Sequence, residues 1–514
     1  MMTSIVKPQS LMALLSDVVV DNSALQECSL TDISMDSRRV AAGGLFLALA
    51  KNTVDREKHL RQALEKDIFA VLIDEQQPLT ETELEMLNAA VVIAYSVDNL
   101  AEKAGFIAAR FYGHPSADMT VIAVTGTNGK TSVSQFIAQA LESMNKPCGV
   151  IGTMGAGRLC DLEMTGMTTP DPVTMQKLLA RFQREGCDYV VLEASSHALA
   201  QGRLNSVEID IAVLTNLSRD HLDYHKTMAN YAAAKKRLFD MDSVQYAVIN
   251  ADDAFGTDVI SKLRKNVTLL TYGDAESQVN IRAEHISYKR DGVAFDARVN
   301  DKSVAVNLPV LGEFNVDNIL AAIGVLTALG LNTEQCRDAI NQCQAVSGRM
   351  QTYTQAGQPT VVIDYAHTPD ALHQALRTLQ VHLPDAGQLW CVFGCGGDRD
   401  RGKRPLMGKV AEREADQVIV TDDNPRTEDH LLIIEDILAG CDEPQKIRVE
   451  LDRKLAITYA INHAEAKDIV LVAGKGHESY QEINHVRYPF SDAAVVTAVF
   501  DAQANGIKNV VGGH

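Results

Sequence analysis

The sequence predicts an α/β fold in three domains with mostly parallel sheets. Its 514 residues allow about three domains at about 150 residues each. Short runs, apolar throughout and rich in β-branched residues, recur along the chain. They are TVIAVTGT (120–127), YVVLEASS (189–196), IAVLTNLS (211–218), YAVINADD (246–253), TVVIDYAH (360–367), LWCVFGCGG (389–397), QVIVTDDN (417–424) and DIVLVAGKG (468–476). Such runs suit strands buried on both faces of a parallel sheet. Helical periodicity fills the gaps, as in PVTMQKLLARFQREG (172–186) and PDALHQALRTLQVHL (369–383). Strand, turn and helix in alternation mark this class.

In chain order, residues 1–97 have weaker strands and no phosphate-type loop, and read as a separate α/β domain. The central domain, 98–347, closes after a helical region that includes NVDNILAAIGVLTALG (315–330). New strands follow SGRM (347–350). The third domain, 348–514, is expected to be Rossmann-like and to end in a frayed tail at 505–514. In such sheets ligands bind at the carboxyl ends of strands, where the unusual residue clusters of this chain sit.

Composition excludes several classes. An apolar share of 46% and a charged share of 22% argue against disorder. With 48 Lys and Arg against 67 Asp and Glu, the net charge is −19, which argues against nucleic acid or an anionic membrane as partner. No apolar run approaches the roughly 18 residues of a membrane span. The N-terminus has a single Lys, a short apolar stretch broken by Asp17 and no small-residue cleavage site, so no signal peptide is expected. The nine cysteines are scattered without a C-x-x-C pair, and the nearest two, Cys391 and Cys395, fall in a strand-like segment. Reduced, buried thiols in a cytoplasmic, monomeric protein are expected, with neither disulfides nor zinc.

The strand at 120–125 runs into Gly126-Thr127-Asn128-Gly129-Lys130-Thr131-Ser132 and then a helix. Glycines let backbone N–H groups approach phosphate oxygens, Lys130 reaches the terminal phosphates, and the Thr131 hydroxyl can hold Mg2+. Val124 replaces the first Gly of the full pattern, so the loop is a shortened variant. The central domain therefore reads as a P-loop-type ATPase with ATP as co-substrate. Glu193 at a strand end would ordinarily be a turn or cap, but its place beside the phosphate-loop strand favours a metal role. His221 and His225 stand at i, i+4 without a third soft ligand, which rejects zinc and leaves His225 structural. On spacing alone Lys235 is a solvated surface lysine.

The shortened loop TGTNGKTS resembles that of the Mur ligase family, the ATP-dependent amide-forming ligases of peptidoglycan synthesis, and of their relative folylpolyglutamate synthase. LEASSHAL (192–199), TNLSRDHLDYH (215–225), NYAAAKKRL (230–238), GEFNVDN (312–318), SGRM (347–350), DYAHTPD (364–370), FGCGGDRDRGKRPLMG (393–408), TDDNPRTED (421–429) and VAGKGHE (472–478) appear in family order. MDSRRVAAGGLFLALA (35–50) looks like the family's UDP-binding first domain. The resemblance implies a ligase that phosphorylates a carboxylate with ATP and lets an amine attack the acyl phosphate. It implies the joining of meso-2,6-diaminopimelate to UDP-N-acetylmuramoyl-L-alanyl-D-glutamate. L-Lysine as acceptor, a folylpolyglutamate synthase-like ligase and a non-enzymatic ATP-gated module are the competing readings.

The resemblance assigns catalysis to Lys130, Glu193, His221 and Lys235. It has Mg2+ held by Thr131, Glu193, His221 and a Lys235 carbamylated by CO2. Base and ribose contacts fall to Asn315, Asn318, Arg349 and Asp364. Contacts to the UDP-linked substrate fall to Met35, Ser37, Asn52, Thr53, Val54, Met167, Thr168, Thr169, Ser195, Gln201 and Arg203. The chain departs from the family pattern at Met167, Ala198 and Gln351, where Asn, Gly and Glu are usual. In the third domain Arg399 and Arg426 can each grip a carboxylate with a donor fork. Asp423, Asn424 and Glu478 can take ammonium protons, with Pro425 and Gly474 shaping the same loops. The family associates Asp423 to Arg426 with meso-diaminopimelate, and lysine would leave Arg426 unpaired at a large cost. Four basic residues against two acidic ones in 398–404 are expected to give a local positive field.

Overall fold

The structure is a computed structural model that describes residues 9–20, 25, 28–50, 52–274 and 278–504. The tail expected to fray, 505–514, lies outside the described residues. The chain divides into two compact units, residues up to Ile281 with Leu320–Asn332, and Arg282–Ile319 with Thr333 onward.

The first unit opens with a parallel sheet in the order Ile33–Ser34, Leu45–Leu47, Ala70–Asp74, Ile93–Val97. Helix Leu100–Tyr112 buries Leu100, Ala104, Ile107, Ala108 and Phe111 in one core of this sheet. Helices Thr53–Leu64 and Glu81–Ala89 supply Leu60, Ala63 and Leu87 to a second core. Arg56 and Glu83 join those two helices by a bidentate pair at 2.7 and 2.8 Å, with both side chains almost wholly buried. Arg56 also donates to the carbonyls of Gln77 and Pro78, and Glu83 completes a capping box with Thr80.

The phosphate-loop sheet follows. Its parallel strands stand in the order Cys148–Gly152, Tyr189–Glu193, Thr120–Thr125, Ile211–Leu214, Tyr246–Asn250, Thr268–Gly273. Gly155–Arg158 and Asp161–Glu163 add an antiparallel edge. Thr120–Thr125 lies between strands that leave in opposite directions along the sheet, and such a switch point opens a crevice at the strands' carboxyl ends. Glu193 and the loop after Thr125 both sit there.

The second unit carries the hairpin Gly292–Val299 with Lys302–Leu308 and a sheet whose parallel strands run Thr360–Asp364, Ile469–Ala473, Leu389–Phe393, Gln417–Val420, Arg448–Val449. Alternate residues face opposite cores. Val362, Cys391, Phe393, Val420 and Leu471 meet helices Pro369–His382, Lys403–Glu414 and His430–Leu438. Val361, Ile363, Val392, Ile419 and Val472 meet helices Arg453–His463 and Asp492–Ala504. Covering both faces is why these strands are apolar throughout.

No cysteine is in a disulfide among the described residues, and six of the nine are buried, while Cys28 and Cys441 are half-buried and Cys160 is exposed. Cys160 lies in the turn between Gly155–Arg158 and Asp161–Glu163. Among the described residues no helix is long and apolar enough to cross a membrane.

Candidate active site

Gly126 has φ 148°, and a Cβ there would lie 1.8 Å from the Thr215 hydroxyl, so only glycine fits. Gly129, at φ 84°, starts helix Lys130–Ser143, and no side chain caps that start. A helix N-terminus of this kind suits a phosphate. Lys130 Nζ donates to the Gly126 and Thr127 carbonyls, each at 2.9 Å. The loop is braced by Asn128 N–H on Asn216 Oδ1 at 3.0 Å, and by Thr127 Oγ1 with Tyr231 Oη at 3.1 Å.

Glu193 is buried at the end of its strand. Its Oε1 accepts from the Thr131 hydroxyl at 3.0 Å and the Thr153 N–H at 2.9 Å, and its Oε2 accepts from the Thr153 hydroxyl at 3.0 Å. Thr153 also bonds Thr168 at 3.1 Å. Thr169 donates to the Glu193 carbonyl at 2.6 Å and lies 3.1 Å from Ser195 Oγ. Arg203 donates to the Thr169 carbonyl at 2.7 Å and to Gln201, and approaches Met167 Sδ at 3.5 Å. Burial holds its guanidinium below the ordinary value. Thr168 thus reaches the Glu193 carboxylate through Thr153, while Thr169 links the end of the Glu193 strand to Ser195 and to the Arg203, Gln201 and Met167 group. In the first sheet's region, Met35 packs on the core and Ser37 donates to Gln62 at 2.9 Å. Asn52 caps helix Thr53–Leu64 through the Asp55 N–H, with Thr53 and Val54 exposed on its first turn.

His221 stacks edge-on against His197 at 5.0 Å and faces Tyr231 at 6.0 Å. His225 is buried, with Nε2 3.0 Å from Ser196 Oγ. Lys235 is not a solvated lysine: it is buried, its Nζ donates to the Gly126 carbonyl at 2.6 Å, and it sits 4.6 Å above the Tyr231 ring. Burial first, then the charge of Lys130, brings its ammonium from 10.5 to about 6. Lys236 is the more solvated neighbour, paired with Asp240 at 2.6 Å. Among the described residues no three His, Cys, Asp or Glu gather as a metal cage.

In the second unit, Asn318 Nδ2 donates to Asn315 Oδ1 at 3.0 Å, and Asn315 Nδ2 to the Leu311 carbonyl at 2.7 Å. Asp364 accepts from the N–H groups of Met350 and Ala366, each at 2.8 Å, while burial raises its carboxyl. Gln351 Oε1 accepts the Gly348 N–H at 2.9 Å, a bond a neutral amide makes without any charge. Arg349 lies over the Tyr365 ring at 5.3 Å, and His477 faces the same ring at 5.6 Å. Arg349 Nε and His477 Nδ1 are buried and have no partner among the described residues.

The third-domain loops correct three expectations. Asn424 Oδ1 already accepts from Lys475 Nζ at 3.1 Å and the Glu482 N–H at 2.9 Å, so it is not turned toward an ammonium. Its Nδ2 gives one hydrogen to Glu478 Oε2 at 2.9 Å and keeps one to offer. Arg426 donates to the Gly397 carbonyl at 2.7 Å and lies 3.6 Å from Glu482, so lysine in the pocket would not leave it unpaired. In 398–404, Arg401 and Arg404 both pair with Glu428, and Arg404 with Asp436, which cancels much of the expected positive field. Arg399 is exposed and bonds the Asp398 carbonyl at 3.3 Å. Burial raises the Asp423 carboxyl, and a Cβ on Gly474 (φ 114°) would lie 2.6 Å from it. The Pro425 carbonyl packs against Gly397. Thr153, Lys475 and His477 escaped the sequence reading. Their one signal was position, since each follows the carboxyl end of a parallel strand.

The class of protein follows from its family: the chain is an ATP-dependent, amide-bond-forming ligase. The Mur ligase middle domain matches residues 124–326 and the Mur ligase glutamate ligase domain matches residues 348–476, and the chain belongs to the Mur ligase family. It is 44% identical over 486 residues to UDP-N-acetylmuramoyl-L-alanyl-D-glutamate–2,6-diaminopimelate ligase of Chromobacterium violaceum, covering 94% of this chain and 97% of that one. The ligase of the same name from Coxiella burnetii is 44% identical over 466 residues, covering 90% and 93%. A solved structure of a ligase of that name matches with TM-score 0.72 at 37% identity, over 97% of this chain and 100% of that one. A folylpolyglutamate synthase from Thermotoga maritima, at TM-score 0.58 and 17% identity over 72% and 90%, shares the fold.

Proposed function

We propose that this chain adds meso-2,6-diaminopimelate to UDP-N-acetylmuramoyl-L-alanyl-D-glutamate with ATP, as a cytoplasmic monomer of peptidoglycan-precursor synthesis. The loop Asp423 to Arg426 carries the reading, in a chain 44% identical over 486 residues to a ligase of that name. Its residues 1–97 would serve the UDP moiety, 98–347 ATP, and 348–514 the amino acid. A substrate carboxylate oxygen attacks the terminal phosphorus of ATP and ADP leaves. The amine nitrogen then attacks the acyl carbon, phosphate leaves, and the amine gives up a proton. Lys130 and the helix N-terminus behind it offset the phosphate charge. Asn315, Asn318, Arg349 and Asp364 would serve base and ribose.

Thr131 and Glu193, hydrogen-bonded at 3.0 Å, with His221 and a carbamylated Lys235, would hold Mg2+, a hard cation that favours oxygen donors. When bound, it would neutralise charge on the reacting phosphates. The donor set fits, because a lysine near 6 presents a neutral amine to CO2. The nitrogen lone pair forms the N–C bond, a C=O electron pair moves to oxygen, and a proton leaves, so a neutral amine becomes an oxygen-bearing anion.

The test is ADP release with the UDP-linked dipeptide and each candidate amino acid. Diaminopimelate is expected to give the fastest turnover. Faster turnover with L-lysine refutes the acceptor, and release only with a folate points to the synthase reading. No phosphate release with full substrates points to a non-catalytic module.

A further inference from the structure

We propose that Lys475 is the positioning residue of the amino-acid pocket, its buried ammonium turning the Asn424 amide so that N–H faces the ligand while it steadies Glu478. The proposal rests on the acceptor reading above and extends it to a residue outside the expected set. Lys475 is fully buried, directly after Gly474 at the end of strand Ile469–Ala473. Its Nζ lies 2.8 Å from Glu478 Oε2 and 3.1 Å from Asn424 Oδ1, with the Tyr480 ring 5.6 Å away.

An amide side chain has nearly the same shape either way round, so its hydrogen bonds alone decide which end faces outward. At Asn424 two donors, Lys475 Nζ and the Glu482 N–H, claim the oxygen. One amide hydrogen is spent on Glu478, and the other has no acceptor among the described residues. A carboxylate oxygen satisfies that hydrogen and an ammonium does not. Glu478 supplies the opposite element. Burial alone would raise its carboxyl, but the hydrogen bond and charge of Lys475 hold it below the ordinary value. An anionic Glu478 attracts an amine. Together they match a ligand end that carries one carboxylate and one amine; at the distal end diaminopimelate has both, whereas lysine has the amine without the carboxylate. Because its ammonium is wholly enclosed, Lys475 would act on a ligand through these neighbours and not by direct contact.

The experiment is a coupling cycle. Lys475→Met is made in the natural chain and in an Asn424→Ala, Glu478→Gln background, and KM is measured for all three substrates. In the natural background, KM for diaminopimelate is expected to rise about tenfold or more, as the loss of charge-assisted bonds predicts. KM for ATP and the UDP-linked dipeptide should stay within about twofold, and the preference over L-lysine should fall. In the doubly substituted background, Lys475→Met should add less than about twofold, because its partners are already gone. Equal rises in all three KM values, an unchanged KM for diaminopimelate, or effects that simply multiply would overturn the proposal. Thermal melting accompanies each variant. Lys475→Gln, which keeps an uncharged donor toward Asn424, covers a fold loss in the Met variant. It should retain part of the preference for diaminopimelate, and complete loss in a folded Gln variant overturns the role. If the natural enzyme turns over another amino acid instead, the acceptor assignment falls. The same cycle then runs with that amino acid, where an unchanged KM overturns Lys475 alone.

Discussion

Stripping dissolved CO2 from the buffer, or replacing Lys235 with Ala, is expected to remove most ADP release. A carbamate forms only on a neutral amine. At about pH 7.5 an ordinary lysine is neutral in roughly one molecule per thousand. Burial, and then the nearby charge of Lys130, brings Lys235 from 10.5 to about 6. At the same pH roughly thirty molecules then carry the neutral amine for each ammonium, so the surroundings raise the reactive form about a thousandfold. The sign follows from burial, which penalises the charged form. Lowering the pH through about 6 restores the ammonium, and the carbamate-dependent activity should fall about tenfold for each further unit. ADP release is compared in CO2-free and bicarbonate-replete buffer across this range. Carbon NMR with labelled CO2 follows a carbamate signal that Lys235→Ala should abolish. A short carboxylic acid should partly rescue Lys235→Ala by restoring an oxygen anion. Unchanged activity in Lys235→Ala, or full activity without a carbamate signal, would refute the reasoning.

Other substitutions probe the remaining parts. Gly126→Ala must place a Cβ 1.8 Å from the Thr215 hydroxyl at φ 148°, so ATP binding by calorimetry should be lost or the loop displaced. Thr153→Val deletes the hydroxyl bonds to Glu193 and Thr168, and kcat should fall about tenfold or more with a weaker response to Mg2+; an unchanged Mg2+ titration would count against it. Glu428→Gln leaves the buried Arg404 with Asp436, which should cost ~3 kcal/mol in denaturant unfolding at neutral pH. The Arg404 hydrogen bond holds Glu428 at about 2, so its stabilisation is full above about pH 4.5 and is lost as pH falls toward 2. The gap between the two proteins should narrow over that interval, and a gap independent of pH would contradict the pairing.

The strands of the second and third sheets were legible because burial on both faces writes itself as unbroken Val, Ile and Leu. The first sheet read weakly because two of its strands, Ile33–Ser34 and Leu45–Leu47, are only two and three residues long. The phosphate loop was legible because glycine, lysine and threonine are demanded locally. Lys235 was not, because what makes it unusual comes from a carbonyl 109 positions away. The polarity of Asn424 was hidden for the same reason, since Lys475 and Glu482 reach it from another strand's loops. Charge counting in 398–404 misled, because Glu428 arrives from a different segment and pairs with two of the four cations.

The pair between Arg56 and Glu83 has a consequence for how such a chain can change over generations. Both side chains are almost wholly out of water, and Arg56 is also tied to two carbonyls. Losing either partner strands a charge, at about 3–5 kcal/mol, a large part of the 5–15 kcal/mol that typically keeps a protein folded. Exchanging both for well-packed apolar residues would spare the stranded charge but still lose the bonds to Gln77, Pro78 and Thr80. Neither intermediate is easily tolerated, so the pair acts as an evolutionary ratchet. A single substitution at Arg56 or Glu83 is therefore expected to be selected against for as long as helices Thr53–Leu64 and Glu81–Ala89 are joined this way.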